Sequence, residues 1–118
     1  MAKPVIEFTE YIVHDVLADA DRLLVRRMFG GCSLYLDGII FGLVTSDCEL
    51  FFKVDDSNRE LYEKIDSYPF VYSGWKDKKR KPVTMPYWHI SEEVMEDREK
   101  VTELMELSVA IGSKKQRE

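Results

Sequence analysis

The chain reads as an α+β fold of two layers, an antiparallel β-sheet of about five to six strands with a central meander and helices packed on it, in the order α-β-β-β-β-α-β-β-α. Three observations lead there. Residues 26–53, RRMFGGCSLYLDGIIFGLVTSDCELFFK, are short alternating runs separated by tight-turn signals. Apolar residues recur at helical spacing on both sides of that stretch. Two further strand-like runs, PFVYS and VTMPYWHI, follow with a polar connection between them.

The first helix is expected from Pro4 to about Ala18, where Val5, Phe8, Ile12 and Val16 form a stripe flanked by Val13 and Leu17, with Pro4 near the first turn. His14 stands next to Asp15, but sequence neighbours point about 100° apart on a helix, so the two do not form a base and its orienting acid. Leu24 to Phe29 reads as a strand that bends at Gly30-Gly31. Asp37-Gly38 signals a two-residue hairpin, because such a turn needs positive φ that Asp tolerates and Gly accepts freely. That turn sets Leu36 opposite Ile39, Leu34 opposite Phe41 and Cys32 opposite Leu43. A second tight turn at Ser46-Asp47 sets Thr45 opposite Cys48, Leu43 opposite Leu50 and Phe41 opposite Phe52, which extends one apolar face across three strands. The other face then carries Ser33, Tyr35, Ile40, Gly42, Val44, Glu49, Phe51 and Lys53.

Beyond the meander, Asp55, Asp56 and Ser57 offer capping side chains, and Leu61, Tyr62 and Ile65 give a short helix ending near Ser67. Pro69 to Ser73 is a brief strand and Val83 to Ile90 a longer one. Pro86 cannot donate to a ladder, so that strand is an edge there or carries a bulge. Ser91 followed by Glu92 and Glu93 starts the last helix, with Val94, Val101, Leu104, Met105, Ser108 and Ile111 as its buried stripe and Gly112 as its stop. Residues 1–112 are therefore expected as one domain and 113–118 as a polar tail.

A chain of 118 residues, 45% hydrophobic and 33% charged, can form a core without staples. Its net charge of −5 gives no general attraction to nucleic acid or anionic membrane. No apolar run approaches the ~20 residues needed to span a bilayer, and MAKPVIEF is too short and too polar for a signal peptide, so a cytoplasmic protein is expected. Cys32 and Cys48 fit reduced, buried core thiols. No Ser/His/Asp, Cys/His or paired-carboxylate spacing demands a catalytic site, and no metal or cofactor motif is present.

Two surfaces are candidates for function. Tyr35, Ile40 and Phe51 form an apolar patch on the outer face of the meander, which a helix, a second copy in a homodimer or another protein would cover. The connection Gly74 to Pro82 carries Trp75, Lys76, Lys78, Lys79, Arg80 and Lys81 against one acid, Asp77, and with Trp88 it could contact nucleic acid. Its local charge is about +4, leaving about −9 on the remainder, so weak or no nucleic-acid binding is expected. Tyr87, Trp88 and His89 form the densest aromatic group, read as core and rim of the sheet.

The elements RRMFGG at 26–31, YLDG at 35–38, FGLV at 41–44, LFFK at 50–53, PFVY at 69–72 and MPYW at 85–88, in that order, resemble the N-terminal domain of the TfoX/Sxy family. The resemblance covers nearly the whole chain. It implies an antiparallel sheet with helices packed on it, and a link to bacterial regulation, since TfoX/Sxy proteins regulate natural competence and act with the cyclic-AMP receptor protein at promoters. It brings no catalytic residues to carry over. The full-length regulators have a second, C-terminal domain, and this chain is expected to be a stand-alone copy of the N-terminal one. A non-enzymatic regulatory module that binds another protein or itself is the leading expectation, a nucleic-acid contact module the alternative, and a small enzyme of unknown reaction the third.

Overall fold

A computed structural model of the chain describes residues 3–28, 30–76 and 78–117, with the backbone alone for Lys3, Trp75, Lys76 and residues 115–117. The expected strand end at Phe29, the Trp75 and Lys76 side chains and Asp77 lie outside the described residues. Helix α1 (Lys3–Tyr11) continues into a π-helical stretch, Ile12–Val16, and Ala18 closes it with φ 51°. Six strands follow in the sheet order β1-β2-β3-β4-β6-β5, all antiparallel. They are β1 (Leu23–Met28), β2 (Gly31–Leu36), β3 (Ile39–Val44), β4 (Leu50–Lys53), β5 (Pro69–Lys76) and β6 (Lys79–Ile90). Helices α2 (Arg59–Lys64), α3 (Glu92–Glu96) and α4 (Arg98–Arg117) complete the chain. The two-layer α+β architecture is the one expected.

All the helices share one core with one face of the sheet. Val5, Ile12 and Val16 from the N-terminal helix, Tyr62 from α2 and Val101 and Leu104 from α4 pack there with strand residues. The stripe expected for the last helix is buried throughout, from Val94 to Ile111. The Ser91 hydroxyl accepts from the Val94 N–H at 3.2 Å, as an N-cap should. Two details differ. The helix breaks at Asp97, whose carboxylate accepts from the Lys100 N–H at 3.1 Å and so caps α4 anew. Gly112 also does not stop the helix, which runs on to Arg117. A Cβ at 112 would lie 2.6 Å from Ile39 Cγ2 and 3.1 Å from the Ile40 carbonyl, so glycine here lets α4 approach the sheet.

The register of the meander departs from the expected one, and the departure sorts the side chains. Leu36 opposite Ile39 is as expected next to the turn, but beyond a bulge Leu34 stands opposite Gly42, Ser33 opposite Leu43 and Cys32 opposite Val44. Phe41 is the inserted residue. The next turn is longer than expected: the Thr45 N–H donates to the Glu49 carbonyl at 2.9 Å, leaving Ser46, Asp47 and Cys48 in the loop with Cys48 at φ 60°. A three-residue loop with a left-handed third position is a common hairpin connection, and it puts Leu43 opposite Phe51 and Val44 opposite Leu50. A slip of one residue exchanges faces. Val44 therefore joins Cys32, Leu34, Phe41, Leu50 and Phe52 in the helix-side core, while Leu43 turns to the other face. At Gly31 the sheet is so close that a Cβ would lie 2.0 Å from the Val44 carbonyl oxygen. Cys32 and Cys48 are both thiols; Cys32 is buried, but Cys48, on the loop rather than in a strand, is only half-buried.

The β5–β6 hairpin is longer than the sequence suggests. β5 and β6 pair all the way to Lys76 opposite Lys79, with Lys78 at φ 65° in the reversal. The expected basic connection is thus the end of a ladder. Pro86 falls where the β5–β6 register shifts, so the bulge foreseen for this strand is present. The Val54 N–H donates to the Pro86 carbonyl at 2.9 Å there.

Candidate binding cleft

The face of the sheet away from the helices carries its own apolar cluster, Leu43, Phe51 and Tyr87, with Ile40, Phe70 and Met85 packed against it. Residues of β5 and β6 line a cleft on this face together with the end of β1, the start of β2 and the β3–β4 turn. That cleft holds about 470 Å³ and is lined by Met28, Gly31, Leu43, Phe70, Tyr72 and Met85, with Thr45, Ser46 and Asp47 at one end. Its volume is in the range of a ligand or side-chain pocket. Tyr72 is 44% exposed and Met28 37%, so apolar surface is left open at the rim.

The expected patch divides between floor and edge of this face. Ile40 and Phe51 meet in the cluster, and Phe51 is buried under edge-to-face contacts with Phe70 (5.1 Å) and His89 (5.4 Å). Tyr35 is half-buried, with the Arg26 guanidinium 5.4 Å above its ring. Burial first, and the neighbouring Tyr35 phenol second, push the Tyr87 hydroxyl's pKa up. A helix or a second chain was expected to cover the patch; the chain's own β5–β6 hairpin covers its centre. Leu43, Phe70, Tyr72, Met85 and Met28 were not singled out from the sequence. The alternation in PFVYS was a usable signal for Phe70 and Tyr72, whereas Leu43 reaches this face only through the bulge.

At the base of β5, Tyr68 lies flat on His89, and both reach the Glu49 carboxylate, His89 Nε2 at 3.4 Å and the Tyr68 hydroxyl at 3.3 Å. Partial burial and the Glu49 charge raise the Tyr68 pKa. The group ties β4, β6 and the start of β5 together and holds no nucleophile. His14 borders a separate groove of about 230 Å³ with Glu10, Thr9 and Val25. The Thr9 hydroxyl donates to the Val5 carbonyl at 2.7 Å and is engaged there, so this groove has no activated nucleophile either. Among the described residues, no group of three or more His, Cys, Asp or Glu could hold a metal ion, and no helix is long and apolar enough to cross a membrane.

The basic positions are spread rather than gathered. Lys78, Lys79, Arg80 and Lys81 are all exposed, but alternation along β6 puts Lys79 and Lys81 on the cleft side with Val83 and Arg80 on the other. Trp88 is not beside them; it packs toward Tyr62 in the helix-side core.

A two-layer domain with an apolar cleft on the sheet face opposite its helices is thus the class this chain defines. Residues 15–111 match the TfoX N-terminal domain, and the chain belongs to that family. No curated protein matches it.

Proposed function

We propose that this domain is a regulatory module that binds another protein, and that the partner inserts apolar side chains into the cleft between Met28 and Leu43 on one side and Phe70, Tyr72 and Met85 on the other. The observation that carries this reading is the open rim: Tyr72 and Met28 leave apolar surface at the mouth of a cavity of about 470 Å³ whose floor is already packed. Membership of the TfoX N-terminal domain family supports a regulatory setting, because TfoX/Sxy proteins act on competence through promoters. Tyr35, Ile40 and Phe51 then serve as the floor and flank that hold the contacting residues in place. The domain acts by binding rather than by catalysis, in keeping with the engaged hydroxyl of Thr9 and the structural use of His89.

The test is in-cell photocrosslinking from a photoreactive residue at Met28, compared with one at Glu103 on the exposed side of α4. A discrete protein adduct from position 28 that is lost on Leu43→Glu or Met85→Glu is the expected result. Equal adducts from both positions, or none from position 28, would falsify the reading.

A further inference from the structure

We propose that the open edge of β5 pairs with the same edge of a second copy of this chain, antiparallel about a two-fold axis at Ser73. β5 is the last strand of the sheet. Its backbone orientation follows from Pro82, which has no N–H and stands opposite Ser73, making that pair the non-hydrogen-bonded kind. Tyr72 with Val83 and Gly74 with Lys81 then exchange the ladder bonds. Val71, Ser73 and Trp75 consequently direct their N–H and C=O groups to the open side.

Sheet edges in soluble proteins are ordinarily guarded by charge, proline or a bulge. β1, the opposite edge, is guarded in this way by Arg26 and Arg27, both exposed. β5 has such guards only at its ends, Pro69 with a register shift at the start and Lys76 at the finish; from Phe70 to Trp75 it carries no charge, and Val71 is 50% and Tyr72 44% exposed. Such an edge suits a strand of the same kind.

Geometry restricts the pairing. Outward-directed residues must oppose one another, so Ser73 faces Ser73, and Val71 faces position 75 of the other copy. This register uses every outward N–H from 71 to 75 and leaves Pro69 outside the ladder. Charge favours the antiparallel sense as well. The exposed cations at the tip of one hairpin, Lys78 and Lys79, come alongside the turn at the base of β5 in the other copy, where Glu63 and Asp66 are exposed. The two-fold repeats that attraction.

Sedimentation equilibrium of the whole chain at micromolar concentrations tests the proposal. The wild type is expected at twice 13.8 kDa. Ser73→Lys sets two cations against each other on the axis and should weaken the dimer at least tenfold, with an unchanged circular dichroism spectrum. Val71→Lys serves if that variant does not fold. Leu24→Lys, on the β1 edge, should leave the dimer intact. Ser73→Cys in a Cys48→Ser background should form an intermolecular disulfide under mild oxidation. A wild type that stays at 13.8 kDa overturns the proposal. So does a dimer that survives both lysines on β5, or one that only Leu24→Lys dissociates.

Discussion

Tyr68 stacks on His89 with ring centroids 4.8 Å apart and 12° between the planes, and this contact fastens the entry of the edge strand β5 to its neighbour β6. Tyr68 is half-exposed, so its contribution comes from one ring face and one hydroxyl contact with Glu49 rather than from burial. Tyr68→Ala is expected to cost about 1 kcal/mol, the scale of one aromatic pair. Urea titration followed by fluorescence measures it, and an unchanged midpoint would show that the stack carries no stability.

The Tyr62 ring is wholly buried against Trp88, and among the described residues its hydroxyl makes no well-formed hydrogen bond. Ser108, close to it, already donates to the Lys53 carbonyl at 2.8 Å. Burial holds the Tyr62 pKa far above the usual phenol value, with Ser108 opposing only in part. Tyr62→Phe keeps the ring and removes the unsatisfied group, so the variant should be as stable as the wild type or more stable by up to about 1 kcal/mol. A loss of more than that amount in thermal unfolding would mean that the hydroxyl has a bond worth keeping.

Gly31 has the backbone of Val44 where a side chain would go. A methyl group there would sit 2.0 Å from a carbonyl oxygen, and a carbonyl in a paired strand cannot rotate away as a flexible side chain could. Gly31→Ala should destabilise by about 2–3 kcal/mol, within the range for overpacking. Differential scanning calorimetry reads this directly; a Tm equal to wild type would mean that β2 and β3 separate at this end at little cost.

Much of this was legible in the residues. The Asp37-Gly38 turn, the capping by Ser91 and the stripes of both terminal helices follow from short-range rules, and each of these was read as it stands. What could not be read was the bulge that inserts Phe41, because an extra residue in one strand answers to packing across the sheet and leaves no turn signal in sequence. That single insertion, with the three-residue loop ending at Cys48, moved Leu43 and Val44 to opposite faces. The cleft depends on it. Gly112 misled for a related reason: close helix–sheet approach and a helix stop use the same residue, and only the position of Ile39 tells them apart.

Asp37 makes the stability of the β2–β3 hairpin depend on acid. Its carboxylate receives the Arg22 guanidinium at 2.7 Å, and that hydrogen bond holds its pKa below the ordinary 3.8. A depressed folded-state pKa means that the contribution is present above 3.8 and is lost as pH falls through the lower folded value. Both groups are fully exposed, so the effect is small and screened by salt. Asp37→Asn, which still tolerates φ 50°, should be slightly less stable than wild type near neutrality and indistinguishable from it in strong acid. Urea midpoints across that pH range measure the gap; a gap that widens on acidification would contradict the sign.

Binding of this chain to duplex DNA should be weak, and its salt dependence should show how few cations reach the phosphates together. If all five cations of residues 76–81 made contact, the slope of log K against log salt would be about −4.5, at roughly −0.9 per phosphate. The ladder prevents that, since Arg80 faces away from Lys79 and Lys81. Without Arg80 four cations remain, Lys76, Lys78, Lys79 and Lys81, and the slope becomes about −3.6, while the charge of about −9 on the rest of the chain opposes even that contact. The exposed side of α4 adds Glu99, Glu103 and Glu106 and offers no row of Arg, Asn or Gln to read a groove. Fluorescence anisotropy of a labelled duplex at low and physiological salt is expected to show binding only at low salt, lost when Lys79 and Lys81 become glutamine. A slope near −4.5, or affinity that survives those substitutions at physiological salt, would move the basic hairpin from solvated tip to nucleic-acid contact.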